Sequence, residues 1–361
     1  MSKPVDVLIV GAGVNGLLSA LHLAREGMSV TVLDRGGVAR ESTWAGAGIL
    51  SALLPWDYGE VVNALVERGR ALWPEAAAQV AEESGVDPEF LPCGMLALGD
   101  FSRDKALDWC RAHGWACTPV TAGEMPAVSF PEAATALWLP GVAQARNPRV
   151  GQALHGACLK AGVNILTRQE ALSLEVGAGG IQALATATDR FTADRYVITA
   201  GAWTRTLLGP LGLGLDIRPI RGQILLFRAA PGLLPHIVYS QGKYLVPRRD
   251  GHILAGSTLE DAGFEKHNTP EGHQELVAFA LATCPGLKDA ELVYEWAGLR
   301  PGAPGNIPTI ARHPDMDNLY VNSGHFRYGV TMAPASAEML TQLVLHRPTT
   351  LDARPYAWPK P

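Results

Sequence analysis

Residues 5–34 read VDVLIVGAGVNGLLSALHLAREGMSVTVLD, and this stretch decides the fold. The apolar, β-branched run at its start is typical of a parallel strand buried on both faces. From Asn15 the apolar residues recur at helical spacing, Gly27 is placed to end a helix, and SVTVLD returns to strand. The stretch therefore predicts a βαβ unit.

The turn between the first strand and the helix carries the pattern G-x-G-x-x-G, at Gly11, Gly13 and Gly16, and Asp34 closes the second strand. In a dinucleotide-binding unit these glycines permit a tight turn, close approach of the main chain to a pyrophosphate, and close packing of helix on strand. The acid accepts hydrogen bonds from ribose hydroxyls. The alternative is a loop that merely needs flexibility. The flanking elements favour dinucleotide binding, without separating NAD from FAD.

A second run of small residues, RESTWAGAGIL, follows soon after the acid. A long cofactor bound in extended form needs such a second approach of the main chain. Three polar residues suit its phosphate and ribose groups: Arg40, Ser42 and Thr43. Four small residues leave room for an isoalloxazine ring: Ala45, Gly46, Ala47 and Gly48. An ordinary glycine-rich loop is the alternative interpretation.

Further along the chain two architectures alternate. PRVGQALHGACLKAG reads as a helix, and VNILTR and DRYVITAGAW after it read as strands. In contrast, IRPIRGQILLFRA, KYLVPRRDGHILAGST and LVYEWAGLRP alternate apolar and polar residues as antiparallel strands do. RDG is a predicted hairpin turn. NLYVNSG reads as a last strand, and APASAEMLTQLVLH as a helix that Pro334 begins. The pattern predicts an α/β fold in which a Rossmann-like domain is interleaved with a mostly antiparallel α+β substrate domain.

The predicted domains are therefore discontinuous. The cofactor-binding domain takes residues 1–82, 142–218 and 298–361. The substrate-binding domain takes residues 83–141 and 219–297.

Composition narrows the function classes. The 361 residues are 47% hydrophobic and only 18% charged, with a net charge of -5 and no charge run, so neither nucleic acid nor an anionic membrane is an expected partner. Five cysteines without C-x-x-C spacing and histidines without close acidic partners predict no disulfide framework and no metal site. No signal peptide or membrane-length apolar segment is evident, which favours a cytoplasmic location.

The motifs taken together resemble the D-amino-acid oxidase superfamily, and within it the glycine oxidases of thiamine biosynthesis. The resemblance rests on VGAGVNGLLSALHLAREG, ESTWAGAGILSALLPW, VITAGAW, RGQILLF, YLVPRRDGHILAGSTLE, WAGLRPGAPGNIPTI and GHFRYGVTMAPAS, in family order. It implies a two-domain flavoprotein with noncovalent FAD that oxidatively deaminates glycine by hydride transfer to flavin N5. It also implies a homotetramer, molecular oxygen as oxidant, the products glyoxylate, ammonia and hydrogen peroxide, and hand-over of the imine to a thiazole-forming enzyme.

The resemblance assigns the substrate site to a few residues. Arg300 binds the substrate carboxylate through its planar fork, and Tyr244 adds a hydroxyl to the same group. Arg327 completes the catalytic set, and Leu259, with Ala47 and Gly48, lines the substrate pocket. The alternatives are a structural ion pair for Arg300, a core aromatic for Tyr244 and a core leucine for Leu259.

The segment GHFRYG is predicted to face the flavin at the start of the last helix, which favours negative charge on the reduced ring. Family members often carry Asn where this chain has Tyr328. His325 is interpreted as structural rather than as a catalytic base. The remaining cofactor contacts that the resemblance implies are Arg35, Ala171, Ala200, Gly201, Trp203, Gly324, His325, Phe326, Arg327, Tyr328 and Gly329.

The alternatives within this fold are a D-amino-acid oxidase, a sarcosine oxidase and a dehydrogenase that does not use oxygen. From other classes, a flavoprotein that keeps FAD without turnover and a nicotinamide dehydrogenase remain open. Oxygen dependence, a substrate panel and the colour of the purified protein separate them.

Overall fold

The computed structural model describes residues 5–359, and strands and helices alternate along them as the sequence predicts. The strands are β1 Val5–Val10, β2 Val30–Asp34, β3 Ile49–Leu50, β4 Leu91–Pro92, β5 Met95–Gly99, β6 Thr118–Pro119, β7 Thr135–Leu139, β8 Ala143–Gln144, β9 Asn164–Thr167, β10 Ser173–Gly177, β11 Gly180–Ala185, β12 Arg190–Phe191, β13 Ala193–Ile198, β14 Arg218–Arg228, β15 Ile237–Ser240, β16 Lys243–Pro247, β17 His252–Gly256, β18 Glu291–Gly302, β19 Thr309–Arg312 and β20 Leu319–Ser323. The α-helices are α1 Val14–Arg25, α2 Ser42–Ala45, α3 Glu60–Ser84, α4 Arg103–Ala112, α5 Asn147–Lys160, α6 Thr204–Leu208, α7 Pro270–Thr283 and α8 Gly329–Val344.

A six-stranded sheet forms the first part of the molecule, in the order β19-β20-β13-β1-β2-β9. All its neighbours pair in parallel except β19 and β20. Val7, Leu8 and Ile9 of β1 are fully buried, as a parallel strand with both faces covered requires. The predicted βαβ unit is confirmed. It places Gly11 at the carboxyl end of a central strand, where open α/β sheets bind ligands.

An eight-stranded sheet forms the second part, in the order β18-β14-β17-β16-β15-β5-β7-β6. Its pairs are antiparallel except β5 with β15, which confirms the mostly antiparallel second architecture. The predicted RDG hairpin connects β16 to β17, closed by a hydrogen bond from the Gly251 amide to the Arg248 carbonyl (3.1 Å). Two smaller three-stranded sheets, β10-β11-β12 and β3-β8-β4, complete the strand pairing.

The long helices cover the parallel sheet: α1 packs against α5 and α8, and α3 packs against the same two helices. No helix of the described residues is long and apolar enough to cross a membrane.

The last helix begins one turn earlier than predicted, at Gly329, so that Pro334 lies inside it. A proline within a helix has no N–H to donate to the carbonyl four residues back, here that of Val330. The indole Nε1 of Trp73 in α3 donates to this carbonyl instead, at 2.9 Å. The prediction that Pro334 starts the helix was therefore wrong, because a partner distant in sequence satisfies the group that the proline leaves free.

The predicted domain division stays a prediction. Its boundary at 297/298 falls inside β18, and its boundary at 82/83 falls inside α3. Residues 1–4 and 360–361, which the division also assigns, lie outside the described residues. Strand β18 runs from the antiparallel sheet towards the second glycine run, so one continuous element joins the two parts of the molecule.

Candidate functional site

A cavity of about 350 Å³ extends from the first glycine turn to the antiparallel sheet. At one end its wall is formed by Gly11 and Asp34, at the carboxyl ends of β1 and β2. At the other end the wall includes Tyr244 of β16 and Arg300 of β18. Both glycine runs therefore line one continuous space, of a size common for ligand pockets.

The first turn is too tightly packed for any side chain. Gly11 has a φ of +111°, and a Cβ there would lie 2.5 Å from the carbonyl oxygen of Thr199. A Cβ on Gly16 would collide with the carbonyl oxygen of Gly11. Gly13 and Val14 at the start of α1 line the cavity, so the amino end of this helix faces it. Gly13 has no side chain that could cap this end. Such an end attracts an anionic group, as a pyrophosphate would be.

Asp34 supports the same turn. One carboxylate oxygen accepts a hydrogen bond from the amide of Ala12 and the other from the amide of Gly36, both at 2.8 Å. Burial raises the pKa of this carboxyl, and the two amide hydrogen bonds oppose that rise. Each oxygen retains a further lone pair, which a ribose hydroxyl can use.

The second glycine run is attached to both parts of the molecule. The Thr43 hydroxyl accepts a hydrogen bond from the amide of Val14 in α1 (2.9 Å), which joins the second run to the first. The Ser42 hydroxyl donates to the carbonyl of Leu299 (2.5 Å), and the Trp296 indole donates to the carbonyl of Ala45 (3.0 Å). The run is therefore a fixed part of the cavity wall rather than an ordinary flexible loop.

Two amide oxygens in the wall lack a hydrogen-bond partner among the described residues: Oδ1 of Asn15 and Oδ1 of Asn147. Asn147 is fully buried, and its Nδ2 donates to the carbonyl of Thr43 (2.6 Å). Buried acceptors without a donor are uncommon in proteins, so both point to a ligand that carries donors. Hydroxyl and ring N–H donors are present in FAD, and the residues of the cavity fit that cofactor.

Arg300 occupies the far end of the cavity. Its Nη2 donates to the Ser257 hydroxyl (2.5 Å) and its Nη1 to the carbonyl of Thr258 (3.4 Å). No carboxylate of the described residues lies within 4.0 Å of this guanidinium. Burial lowers its pKa; the Tyr244 hydroxyl opposes this change, and the second cation, Arg327, adds to it. Because Arg300 lines the cavity and its guanidinium is bonded only to neutral oxygens, it is suited to receive an anion there.

Two strand glycines make room for these side chains. Gly222 of β14 lies beneath the guanidinium of Arg300, where any Cβ would collide with it. Gly256 lies opposite Tyr244 in the sheet, and a Cβ there would lie 2.9 Å from the tyrosine ring. Glycine within a strand commonly marks such a close approach.

The segment between β20 and α8 forms a further part of the cavity wall. His325 is buried, and its Nε2 lies 2.9 Å from the Ser336 hydroxyl. Burial lowers the pKa of His325 to about 3, which leaves the ring neutral at physiological pH and unsuited to take up a proton. Tyr328 is also buried, and its hydroxyl accepts a weak hydrogen bond from the Leu53 amide (3.5 Å).

The shift in His325 predicts a pH dependence of stability. A histidine whose pKa falls from 6.5 to about 3 on folding takes up a proton on unfolding, so stability decreases as the pH drops below 6.5. Between pH 7 and pH 5 the loss is about 2 kcal/mol. Urea unfolding with FAD in constant excess should show this loss of stability in the wild type. In His325→Gln the same change of pH should cost about 2 kcal/mol less. His22, which is partly buried and whose pKa is also lowered, to about 4, would account for an acid-dependent loss that persists in the variant.

Most of the predicted site residues line the cavity. These are Gly11, Gly13, Asp34, Arg35, Arg40, Ser42, Thr43, Ala45, Gly46, Ala47, Gly48, Ala171, Ala200, Gly201, Trp203, Tyr244, Arg300, His325, Phe326, Arg327, Tyr328 and Gly329. Gly16 and Gly324 lie behind the wall, where Gly16 packs against Gly11.

Leu259 differs from its prediction: it is 53% exposed and does not line the cavity. Its neighbours Thr258 and Glu260 turn inward, where the Thr258 hydroxyl donates to Glu260 (2.5 Å) and Glu260 pairs with Arg221. Because side chains alternate along extended chain, Leu259 is directed outward.

Several wall residues were not predicted from the sequence. They include Asn15, Asn147, Gln169, Glu170, Thr199, Leu207 and Ser257. A strand-end Thr or a helix-starting Asn is common outside binding sites, and only the unpartnered Oδ1 atoms set the two asparagines apart.

The chain resembles known flavoenzymes over nearly its full length. The profile of the family described as DAO, FAD dependent oxidoreductase, matches residues 6–343. A glycine oxidase of Pseudomonas aeruginosa is 39% identical over 355 residues, covering 97% of this chain and 98% of that protein. The crystal structure of glycine oxidase from Geobacillus kaustophilus superposes with a TM-score of 0.93 at 28% identity, covering 99% of each chain.

A further relative is longer than this chain. The bifunctional protein ThiO/ThiG of Trichormus variabilis is 30% identical over 352 residues, which cover 95% of this chain and 53% of that protein. The family profile covers most of the chain, and the cavity offers a glycine cradle, a helix end and unpartnered acceptors for the cofactor. The chain therefore belongs to the DAO family of FAD-dependent oxidoreductases.

Proposed function

We propose that this protein is a glycine oxidase, which converts glycine, oxygen and water to glyoxylate, ammonia and hydrogen peroxide. One observation carries the proposal: Arg300, which is partly buried and has no carboxylate partner among the described residues, lies in the same cavity as the cofactor cradle. The similarity to glycine oxidases at 39% identity supports the choice of substrate. The finer assignments of individual residues are part of the proposal.

Arg300 binds the substrate carboxylate through the guanidinium N–H groups that Ser257 and Thr258 leave free, and the Tyr244 hydroxyl donates to the same carboxylate. Arg327 adds positive charge to the cavity. When bound, FAD supplies the two-electron acceptor for oxidation of the α-carbon. The chain contributes orientation and exclusion of water.

No side-chain base is needed if glycine binds with its amine unprotonated. His325, the histidine in the cavity wall, is held neutral by burial and is already engaged with Ser336. The two cations Arg300 and Arg327 disfavour a protonated amine between them, because like charges repel strongly in a buried site. The proton of the glycine ammonium is therefore released to water on binding rather than transferred to a side chain.

We also propose molecular oxygen as the oxidant, a homotetrameric assembly, a cytoplasmic location and delivery of the imine to a thiazole-forming enzyme. The bifunctional protein ThiO/ThiG supports the last of these, since this chain matches only 53% of a protein whose name gives it two functions. Sarcosine and small D-amino acids are alternative substrates for the same carboxylate site.

The decisive experiment mixes the purified protein with glycine in the absence of oxygen and then admits air. The expected result is loss of the visible flavin band, followed by its return with formation of hydrogen peroxide. Loss without return would indicate a dehydrogenase. Reduction by sarcosine or D-alanine but not by glycine would replace the substrate, and a band that no amine bleaches would overturn the proposal.

Ser257 offers a finer test of the carboxylate site. Ser257→Ala removes the hydroxyl that holds Nη2 of Arg300 (2.5 Å), and we expect the KM for glycine to rise roughly two- to tenfold. Ser257→Thr keeps the hydroxyl and should restore most of the affinity. Steady-state kinetics at saturating oxygen measure both. An equal loss in the two variants would show that packing, rather than the hydrogen bond, is responsible.

A further inference from the structure

Arg248 is a buried cation that the proposed chemistry does not use. It follows β16 in the hairpin turn and is 7% exposed. No carboxylate of the described residues lies within 4.0 Å of its guanidinium. Burial and the neighbouring Arg146 together lower its pKa to about 10, so the side chain is still charged at neutral pH. An unpaired buried charge is costly and requires specific hydrogen bonds to be retained.

Neutral oxygens on two chain segments supply these bonds. Nη2 of Arg248 donates to the carbonyl of Ala47 at 2.7 Å. Nη1 donates to the carbonyl of Ala145 (3.3 Å) and to Oε1 of Gln144. The Gln144 amide in turn donates to the sulfur of Cys93 (3.2 Å), which fixes the orientation of the amide.

The two segments form the cavity wall where they cross. The amide of Ala145 donates to the carbonyl of Gly48 (2.9 Å), and Gly48 has a φ of +75° with no room for a Cβ against Ala145. Ala47, Gly48 and Asn147 all line the cavity. Arg248 therefore connects the antiparallel sheet to the second glycine run from behind, without reaching the cavity itself.

We infer that Arg248 is a positioning residue for FAD, which fixes the crossing of residues 47–48 and 144–145 so that the wall is preorganised before the cofactor binds. Without this clamp the two segments gain freedom that FAD binding must then remove, so the cofactor binds less tightly. The inference concerns the cofactor alone and does not depend on glycine as the substrate.

The next residue provides a matched control. Arg249 is exposed and bonds Asp87 (3.3 Å) and the carbonyl of Phe90 (3.2 Å) at the surface. Arg249→Met therefore removes a charge from the same turn without touching the cavity wall.

The test measures release of FAD from diluted holoenzyme through the recovery of flavin fluorescence, together with the equilibrium Kd and the visible circular dichroism at saturating FAD. We expect Arg248→Met to weaken FAD binding roughly tenfold or more and to alter the dichroism, because at least two charge-assisted hydrogen bonds are lost. In Arg248→Lys the single ammonium group can reach only some of the three oxygens that the guanidinium bonds. Its affinity for FAD should therefore lie between those of Arg248→Met and the wild type. Arg249→Met should match the wild type.

Wild-type Kd and dichroism in Arg248→Met would overturn the inference, even if its stability against urea falls. If Arg248→Met does not fold, Arg248→Lys decides: weaker FAD binding in a folded protein supports the positioning role, and unchanged binding overturns it. Activity with glycine is not needed for either outcome, so failure of the proposed function is recognised separately.

Discussion

Replacing Arg300 by alanine is expected to raise the KM for glycine by between roughly 30-fold and several thousandfold, which corresponds to a loss of about 2–5 kcal/mol of substrate binding. The guanidinium has no carboxylate within 4.0 Å among the described residues, and its bonds to Ser257 and Thr258 are to neutral oxygens. The substrate carboxylate thus becomes its counter-ion. Removal of Arg300 leaves that carboxylate buried without a comparable partner.

The affinity is measured as the concentration dependence of flavin reduction under anaerobic conditions, which separates binding from reaction with oxygen. Arg300→Lys keeps the charge but lacks the planar fork, so an intermediate loss is expected. Arg228→Ala, which removes an exposed arginine of β14 that pairs with Glu291, is the control and should leave the KM unchanged. An unchanged affinity in Arg300→Ala with normal FAD content would exclude Arg300 from the substrate site.

The parts of the fold that were predicted correctly depend on local sequence. The burial of β1 follows from the apolar run after Asp6, and the turn after β1 follows from glycines whose positions tolerate no side chain. The strands β14, β16 and β18 were also predicted from their sequences, although the buried residues of β14 and β16 form continuous runs rather than an alternation. These patterns act within a few residues, so a single sequence displays them.

What was missed depends on contacts between distant residues. The start of α8 depends on the bond from Trp73 to Val330, and the exposure of Leu259 depends on the pairing of Glu260 with Arg221. In the same way Arg248 reads as one of two adjacent arginines in a polar turn, and only the fold buries it behind Ala47. Sequence alone does not distinguish it from the exposed Arg249.

The candidate site also combines residues that the sequence indicates with residues that only distant contacts bring together. Arg300 was assigned from the resemblance. Gly222 makes room for the side chain of Arg300, and Gly256 makes room for that of Tyr244. Both glycines lie in predicted strands, but the sequence does not show which side chain each of them faces. The strand register of the antiparallel sheet supplies this information, because it pairs Tyr244 with Gly256 and places Arg300 of β18 beside β14.

The first glycine turn leads to the second large effect: Gly11→Ala is expected to abolish retention of FAD. The backbone at Gly11 has a φ of +111°, which costs an alanine about 1–2 kcal/mol. In addition, its Cβ would lie 2.5 Å from the carbonyl oxygen of Thr199. The amide of Thr199 donates to the carbonyl of Val10 (2.9 Å), which holds Thr199 and its own carbonyl against the parallel sheet. The turn at Gly11 must therefore move instead. A displaced turn no longer directs the amino end of α1 at the phosphates.

Gly27 at the other end of α1 isolates the effect of the collision from that of the backbone. Its φ is +85°, but a Cβ there meets nothing within 4 Å, so Gly27→Ala should lose some stability and keep its flavin colour.

Gly13→Ala tests close approach without strain, because its φ is -78° and the nearest atom to a Cβ is the Thr43 hydroxyl at 3.3 Å. We expect it to fold and to bind FAD more weakly. The ratio of flavin to protein absorbance after purification, with unfolding midpoints, measures all three. Normal flavin content in both Gly11→Ala and Gly13→Ala would contradict a phosphate cradle at this turn, whereas loss of colour in Gly27→Ala would attribute the effect to destabilisation of α1.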